Sequence, residues 1–241
     1  MSTADQSCFM FLLAGRLPRY GLGVLACLDL LAAAIVLPAV AAGCSQVRPE
    51  AGQAVCADEP LVDLADVAPR IVLDLRYATA DNFLRQKLYP VARCLLRESV
   101  ADRLRRVQDD LEVKGLGLKV FDGYRPLSVQ RRMWGVFPDP KYVADPARGS
   151  RHNRGAAVDV TLVDAKGREL PMPSAFDEFS ERAHRNYAGG TAEQRRNRRV
   201  LEDAMERHGF SGLDSEWWHF DAPGWQHYTI LDQPLERGVS R

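Results

Sequence analysis

The chain has 241 residues, with 32 Lys and Arg balanced by 32 Asp and Glu and a hydrophobic share of 46%. The absence of a basic surplus argues against a nucleic-acid binder, and no internal repeat, phosphate-cradling glycine loop or low-complexity tract is present. About 200 residues follow the apolar N-terminal segment, enough for one domain with a substantial core.

That segment comes first. Leu22 to Ala42 is apolar apart from Asp29, follows Arg16 and Arg19, and runs into Val40-Ala-Ala-Gly-Cys44, the layout of a secretory signal with a small-residue cleavage region. Its end resembles a bacterial lipobox in which Cys44 becomes the lipidated first residue, although Ala41 stands where Leu is usual. Cleavage near Ala41 or Ala42 to release a soluble periplasmic protein is a second reading. Retention as a membrane anchor is a third, since roughly 20 apolar residues can span a bilayer. All three place the folded domain outside the cytoplasm, with a membrane-anchored periplasmic lipoprotein expected first. Residues 1–43 are accordingly expected to be the signal, 44–60 a tether and 61–241 the functional domain. Cys56 and Cys94 remain in the exported part, where an oxidising compartment favours a bridge and two unpaired core thiols are the alternative.

Further along, Ile71, Leu73, Leu75 and Tyr77 alternate as in a strand that carries Tyr77 toward one end. Glu98 to Lys114 reads as a helix with Val100, Leu104, Val107 and Leu111 on one stripe and Gly115 as its stop. Leu116, Leu118 and Val120 alternate again and lead into Asp122-Gly-Tyr-Arg125-Pro126, so Arg125 lies at a strand end; Pro126 then opens a short helix through Met133. Val158, Val160 and Leu162 share one face of a strand, with Asp159 and Thr161 on the other. Thr191 and Gln194 form a capping-box pattern before a helix carrying Val200, Leu201, Ala204 and Met205, with Gly209 past its end. The arginines of that helix are offset by Glu193, Glu202, Asp203 and Glu206 and read as a solvated face. The fold class is α+β: a small antiparallel sheet carrying the site, flanked by helices.

Two short segments concentrate the chemistry, Ser150-Arg-His152-Asn-Arg-Gly155-Ala-Ala157-Val-Asp159 and Glu216-Trp-Trp-His219. Together they hold two imidazoles and two carboxylates, what a hydrolytic zinc site with its own general base requires. His152, Asp159 and His219 would fill three positions and leave a fourth open, with Glu216 free as the base. Alone, Asp159 reads as an edge-strand acid and His219 as a packed aromatic; the combination favours the metal.

Ser-x-His-x-x-Gly-x-Ala-x-Asp followed by Glu-x-x-His resembles the zinc D-Ala-D-Ala metallopeptidases, which include peptidoglycan carboxypeptidases and the hedgehog signalling domain. Asp74-Leu-Arg-Tyr77-Ala-Thr-Ala-Asp81-Asn-Phe83 and Phe121-Asp-Gly-Tyr-Arg125-Pro126 narrow the resemblance to the D-alanyl-D-alanine dipeptidase branch, over about Leu61 to Leu231. The resemblance implies one zinc ion held by His152, Asp159 and His219, Glu216 as catalytic base, Arg125 steadying the tetrahedral intermediate, and Ser150 and Tyr77 contacting substrate. It also matches Asp177 to the carboxylate that meets the substrate ammonium, against an exposed loop acid beside Glu178. For Arg125 the alternative is a structural ion pair with Asp122. The implied partner is the small dipeptide D-Ala-D-Ala. A D,D-carboxypeptidase trimming peptidoglycan stems, or a zinc-containing cell-wall-binding module without catalysis, are the alternatives; the presence of Glu216 argues against the second.

Overall fold

The computed structural model describes residues 59–236. In chain order these contain β1 (Leu61–Asp63), α1 (Leu64–Val67), β2 (Val72–Leu73), β3 (Leu95–Arg97), α2 (Glu98–Glu112), β4 (Leu116–Asp122), α3 (Leu127–Val136), β5 (Ala157–Asp164), α4 (Ala192–Arg207), β6 (Ser211–Leu213) and β7 (Glu216–Asp221). The class is α+β as expected. A five-stranded sheet runs β2-β4-β5-β7-β6, and β1 pairs with β3 in a separate two-stranded ribbon. Every pairing in the larger sheet is antiparallel except β2 with β4, which is parallel.

β5 lies between β4 and β7 and is buried on both faces along nearly its whole length. Val158, Val160 and Leu162 join Val100, Leu104, Val107 and Leu111 of α2 and Leu201, Ala204 and Met205 of α4 in one core. The helices therefore cover the Val158 face, and Asp159 is left to the opposite face, as the alternation requires. The capping box forms: Thr191 accepts from Gln194 N, and Gln194 Oε1 accepts from Thr191 N.

Two elements differ from expectation. The strand through Tyr77 shrinks to β2, and Tyr77 sits instead in a 3₁₀ turn at Arg76–Ala78. Past Leu73 the only ladder bond that follows is Asp74 N to Val120 O; beyond it Arg76 pairs with Asp74 and Asp81, and the Tyr77 carbonyl accepts from Leu88 N and Tyr89 N. These local bonds turn the chain and bury Tyr77 without a strand. The helix after Pro126 continues past Met133 to Val136.

Of the chain's first segments, residues 1–58 with Cys44 and Cys56 lie outside the described residues, while Glu59 accepts from Ser99 N and Tyr228 OH and so is already tied to the domain. Cys94 is a free buried thiol, its pKa pushed up by burial, and Cys56, the partner expected for it, is not among the described residues.

Candidate active site

Strand register delivers two of the three expected ligands. Asp159 on β5 lies directly opposite His219 on β7, bringing Asp159 Oδ1 within 3.1 Å of His219 Nδ1. The third comes from a 3₁₀ turn at His152–Arg154, stopped by Gly155 in the left-handed region (φ 66°). A Cβ on Gly155 would lie 2.5 Å from Leu61 Cδ2 and would be strained at this φ, so glycine suits this turn. The Asn153 amide donates to the Arg125 carbonyl and Arg125 N to the His152 carbonyl, which tie the turn to the end of β4. His152 Nε2 lies 3.2 Å from His219 Nδ1 and 3.5 Å from Asp159 Oδ1. These three residues can hold a metal ion, their donor atoms all falling within 4.8 Å of one another.

The remaining ring nitrogens are committed. His152 Nδ1–H donates to the Gly123 carbonyl at 2.8 Å and His219 Nε2–H to Asp221 Oδ1 at 2.9 Å, which turns His152 Nε2 and His219 Nδ1 toward Asp159. Asp221 is in turn paired with Arg151, whose guanidinium lies over the Trp225 ring. Burial alone would lower the His219 pKa, but hydrogen bonding to Asp159 and Asp221 outweighs it and holds it up at about 10. Burial presses the Asp159 carboxyl the other way, toward neutrality; the two imidazoles overcome this and keep it below the ordinary range.

Glu216 and His219 are three apart, and in a regular strand they would face opposite sides. The β6–β7 register jumps instead: Phe220 opposes Gly212 while Glu216 opposes Leu213, so Trp217, Trp218 and His219 arch across one step of β6. This arch lets both side chains line one cavity of about 530 Å³, together with Tyr77, Arg125, Ser150 and Asp177. A second irregularity, between Val120 and Asp122 on β4, sets Asp122 opposite Asp159.

All the expected site residues among those described thus meet at one place. For Arg125 the ion pair with Asp122 forms: Nε and Nη2 donate to Asp122 Oδ2 and Nη1 donates to Gln130, which leaves two of its five N–H groups free of these bonds on the cavity wall. Asp122, itself completely buried, also accepts from Tyr89 OH at 2.6 Å. Ser150 Oγ accepts from His152 N at the entry to the 3₁₀ turn. Asp177 is not an exposed loop acid: it holds a left-handed backbone (φ 57°), accepts from Tyr77 OH at 3.0 Å, and opens only partly into the cavity. Dense protein on its other sides and the nearby Asp159 push its pKa well above the usual carboxylate value. Burial raises that of Glu216 as well. The supports Asp221, Arg151 and Gln130 went unassigned in the sequence; Asp221, two residues past His219 on a strand and so on its face, carried a readable signal.

The D-ala-D-ala dipeptidase family of peptidase M15 matches residues 57–237. The chain belongs to this family. D-alanyl-D-alanine dipeptidase of Escherichia coli (strain K12) is 41% identical over 171 residues, 71% of this chain and 89% of that protein. D-alanyl-D-alanine dipeptidase of Enterococcus faecium is 31% identical over 192 residues, 71% of this chain and 91% of that protein. Among solved structures, VanYB in complex with D-Alanine-D-Alanine overlaps with a TM-score of 0.36 at 18% identity, covering 55% of this chain and 74% of that one. Membership places the His152, Asp159, His219 and Glu216 cluster in a peptidase.

Proposed function

We propose that the protein hydrolyses free D-alanyl-D-alanine to two D-alanines with one zinc ion held by His152, Asp159 and His219. The observation that carries this reading is the convergence of three metal-donor atoms with a half-buried carboxylate, Glu216, in the same cavity as the Tyr77–Asp177 pair. The donors fit zinc: bonds of about 2.0–2.1 Å put neighbouring ligand atoms of a tetrahedral site about 3.3 Å apart. Here they lie 3.1, 3.2 and 3.5 Å apart. When bound, zinc supplies Lewis acidity at the scissile carbonyl and lowers the pKa of water to about 7.

The protein's own groups do the rest. Glu216 accepts the proton of the attacking water and returns it to the leaving amine, a double role that suits a carboxyl whose burial favours the protonated form. Arg125, held by Asp122 and Gln130, turns its spare donors to the developing oxyanion. Tyr77 OH occupies Asp177 Oδ2 and leaves Oδ1 for the substrate ammonium. That cation would hold ionised a carboxyl that burial otherwise drives neutral.

One observation favours the carboxypeptidase alternative. A pocket of about 330 Å³, lined by Glu178, Ser180 and Glu181, adjoins the cavity and shares Tyr142, Phe179 and Trp218 with it, offering room beyond the dipeptide. Kinetics on free D-Ala-D-Ala, its N-acetylated form, a stem pentapeptide and D-Ala-D-lactate decide. Cleavage of the free dipeptide with poor turnover of the other three supports the proposal; preference for the pentapeptide overturns it. We also propose export through residues 1–43 and attachment through lipidated Cys44, supported by the apolar run and its Ala-Ala-Gly-Cys end. Among the described residues no helix is long and apolar enough to cross a membrane.

A further inference from the structure

Five cationic side chains line the catalytic cavity: Arg125, Lys141, Arg148, Arg151 and Arg154. Three are engaged. Arg125 serves Asp122 and Gln130, Arg151 serves Asp221, and Arg154 donates to the Tyr228 carbonyl. The side chains of Lys141 and Arg148 make no hydrogen bond or ion pair among the described residues. Lys141 also lines the adjoining pocket beside Glu178 and Glu181, next in sequence to Asp177, on the side where the ammonium belongs. Arg148 lines only the catalytic cavity, on the wall formed with Ser150, Arg151 and Trp225.

We infer that Arg148 binds the free carboxylate of the dipeptide, an assignment that rests on the dipeptidase reading above. Its backbone is fixed where its side chain is not: Arg148 N and Gly149 N both donate to the Asp145 carbonyl at 3.0 Å, and Ala147 N donates to Asp145 Oδ1 at 2.9 Å. Gly149 has φ +73°, and a Cβ there would lie 2.4 Å from Ile230 Cδ1, so the turn is held against the rest of the domain. The turn presents an exposed guanidinium two residues before buried Ser150. The carboxylates that line the cavity, Asp159, Asp177 and Glu216, all repel the substrate's own, so it needs a cation to receive it. An uncommitted planar fork matches a carboxylate bidentately and sets which end of the dipeptide enters which way.

Kinetics of the zinc-loaded full chain and its Arg148→Gln variant on D-Ala-D-Ala and on its C-terminal amide test this. KM for D-Ala-D-Ala should rise about 10-fold, the scale of one charge-assisted hydrogen bond, with kcat nearly unchanged. Arg148→Lys should recover part of the loss, and the amide should be handled alike by wild type and Arg148→Gln. Calorimetric titration of D-Ala-D-Ala into the Glu216→Gln background, with and without Arg148→Gln, should give the same ratio in Kd without turnover. An unchanged KM and Kd, or an equal loss on the amide, overturns the role of Arg148 alone. Failure of the wild type to bind or cleave D-Ala-D-Ala overturns the dipeptidase reading and this assignment with it.

Discussion

At the scale of single residues, the two imidazoles of the proposed zinc site would be mobile without the acceptors behind them. Asp221 takes the Nε2 proton of His219 and is itself held by Arg151, so Asp221→Asn should weaken zinc binding about 10- to 100-fold. Competition against a chelator measures this, and unchanged affinity would remove Asp221 from the site. His152→Ala, Asp159→Ala and His219→Ala each leave two ligands and should lose bound zinc altogether; full occupancy by elemental analysis strikes that residue from the set. Glu216→Gln keeps the shape and should keep the zinc while turnover falls at least about 100-fold. Its stability effect has a definite sign. Burial raises the Glu216 pKa, so the folded state holds that proton more tightly than the unfolded chain does. The resulting stabilisation is complete below the unfolded value of about 4.3 and lost as pH rises through the folded one. The metal-free Glu216→Gln protein should therefore melt above metal-free wild type near pH 7, with the gap closing toward about pH 4. A pH-independent gap would show that ionisation of Glu216 is not its source.

Among elements, irregular pieces of backbone decide more than regular ones. The arch at Trp217–His219 lets Glu216 and His219 line one cavity, and the bulge before Asp122 sets that buried carboxylate opposite Asp159. Gly155 performs the same service for His152, and Gly155→Ala must adopt φ +66° and push Leu61 aside. We expect it to cost about 1–3 kcal/mol of stability and to weaken zinc binding, read together by thermal melts with and without metal. Thr191→Ala is the contrasting case. Losing the capping box should cost about 1 kcal/mol while leaving kcat/KM unchanged, because α4 packs on the sheet face away from the cavity. A fall in kcat/KM beyond the folded fraction would mean that α4 helps shape the site. The helices and central strands were legible because their periodicity repeats over several turns or pleats. β2 was not: Ile71, Leu75 and Tyr77 are buried as their alternation suggests, but the local Arg76 ion pairs bend the chain before a strand can extend.

For the whole molecule, the proposed export signal can be tested separately from the peptidase domain. If Cys44 is lipidated, Cys44→Ser should shift the protein from the membrane fraction to the soluble periplasmic fraction with unchanged dipeptidase activity; a cytoplasmic location for either form would refute export. The α+β class, the peptidase family, the His152, Asp159 and His219 cluster that can hold a metal ion, and the neutral charge balance were all readable from the order of residues. Each rests on local chemistry: side-chain period, donor type, or ligands packed into two short segments. Tertiary structure decided what depends on distant segments meeting. It set Asp159 opposite His219 across two strands, joined Tyr77 to Asp177 one hundred residues away, made Arg125 an ion-pair partner and a cavity donor at once, and left Arg148 uncommitted while its neighbours were engaged. The physical reason is that hydrogen-bond commitment and burial belong to neighbourhoods in space, which register, bulges and left-handed turns select and linear spacing does not contain.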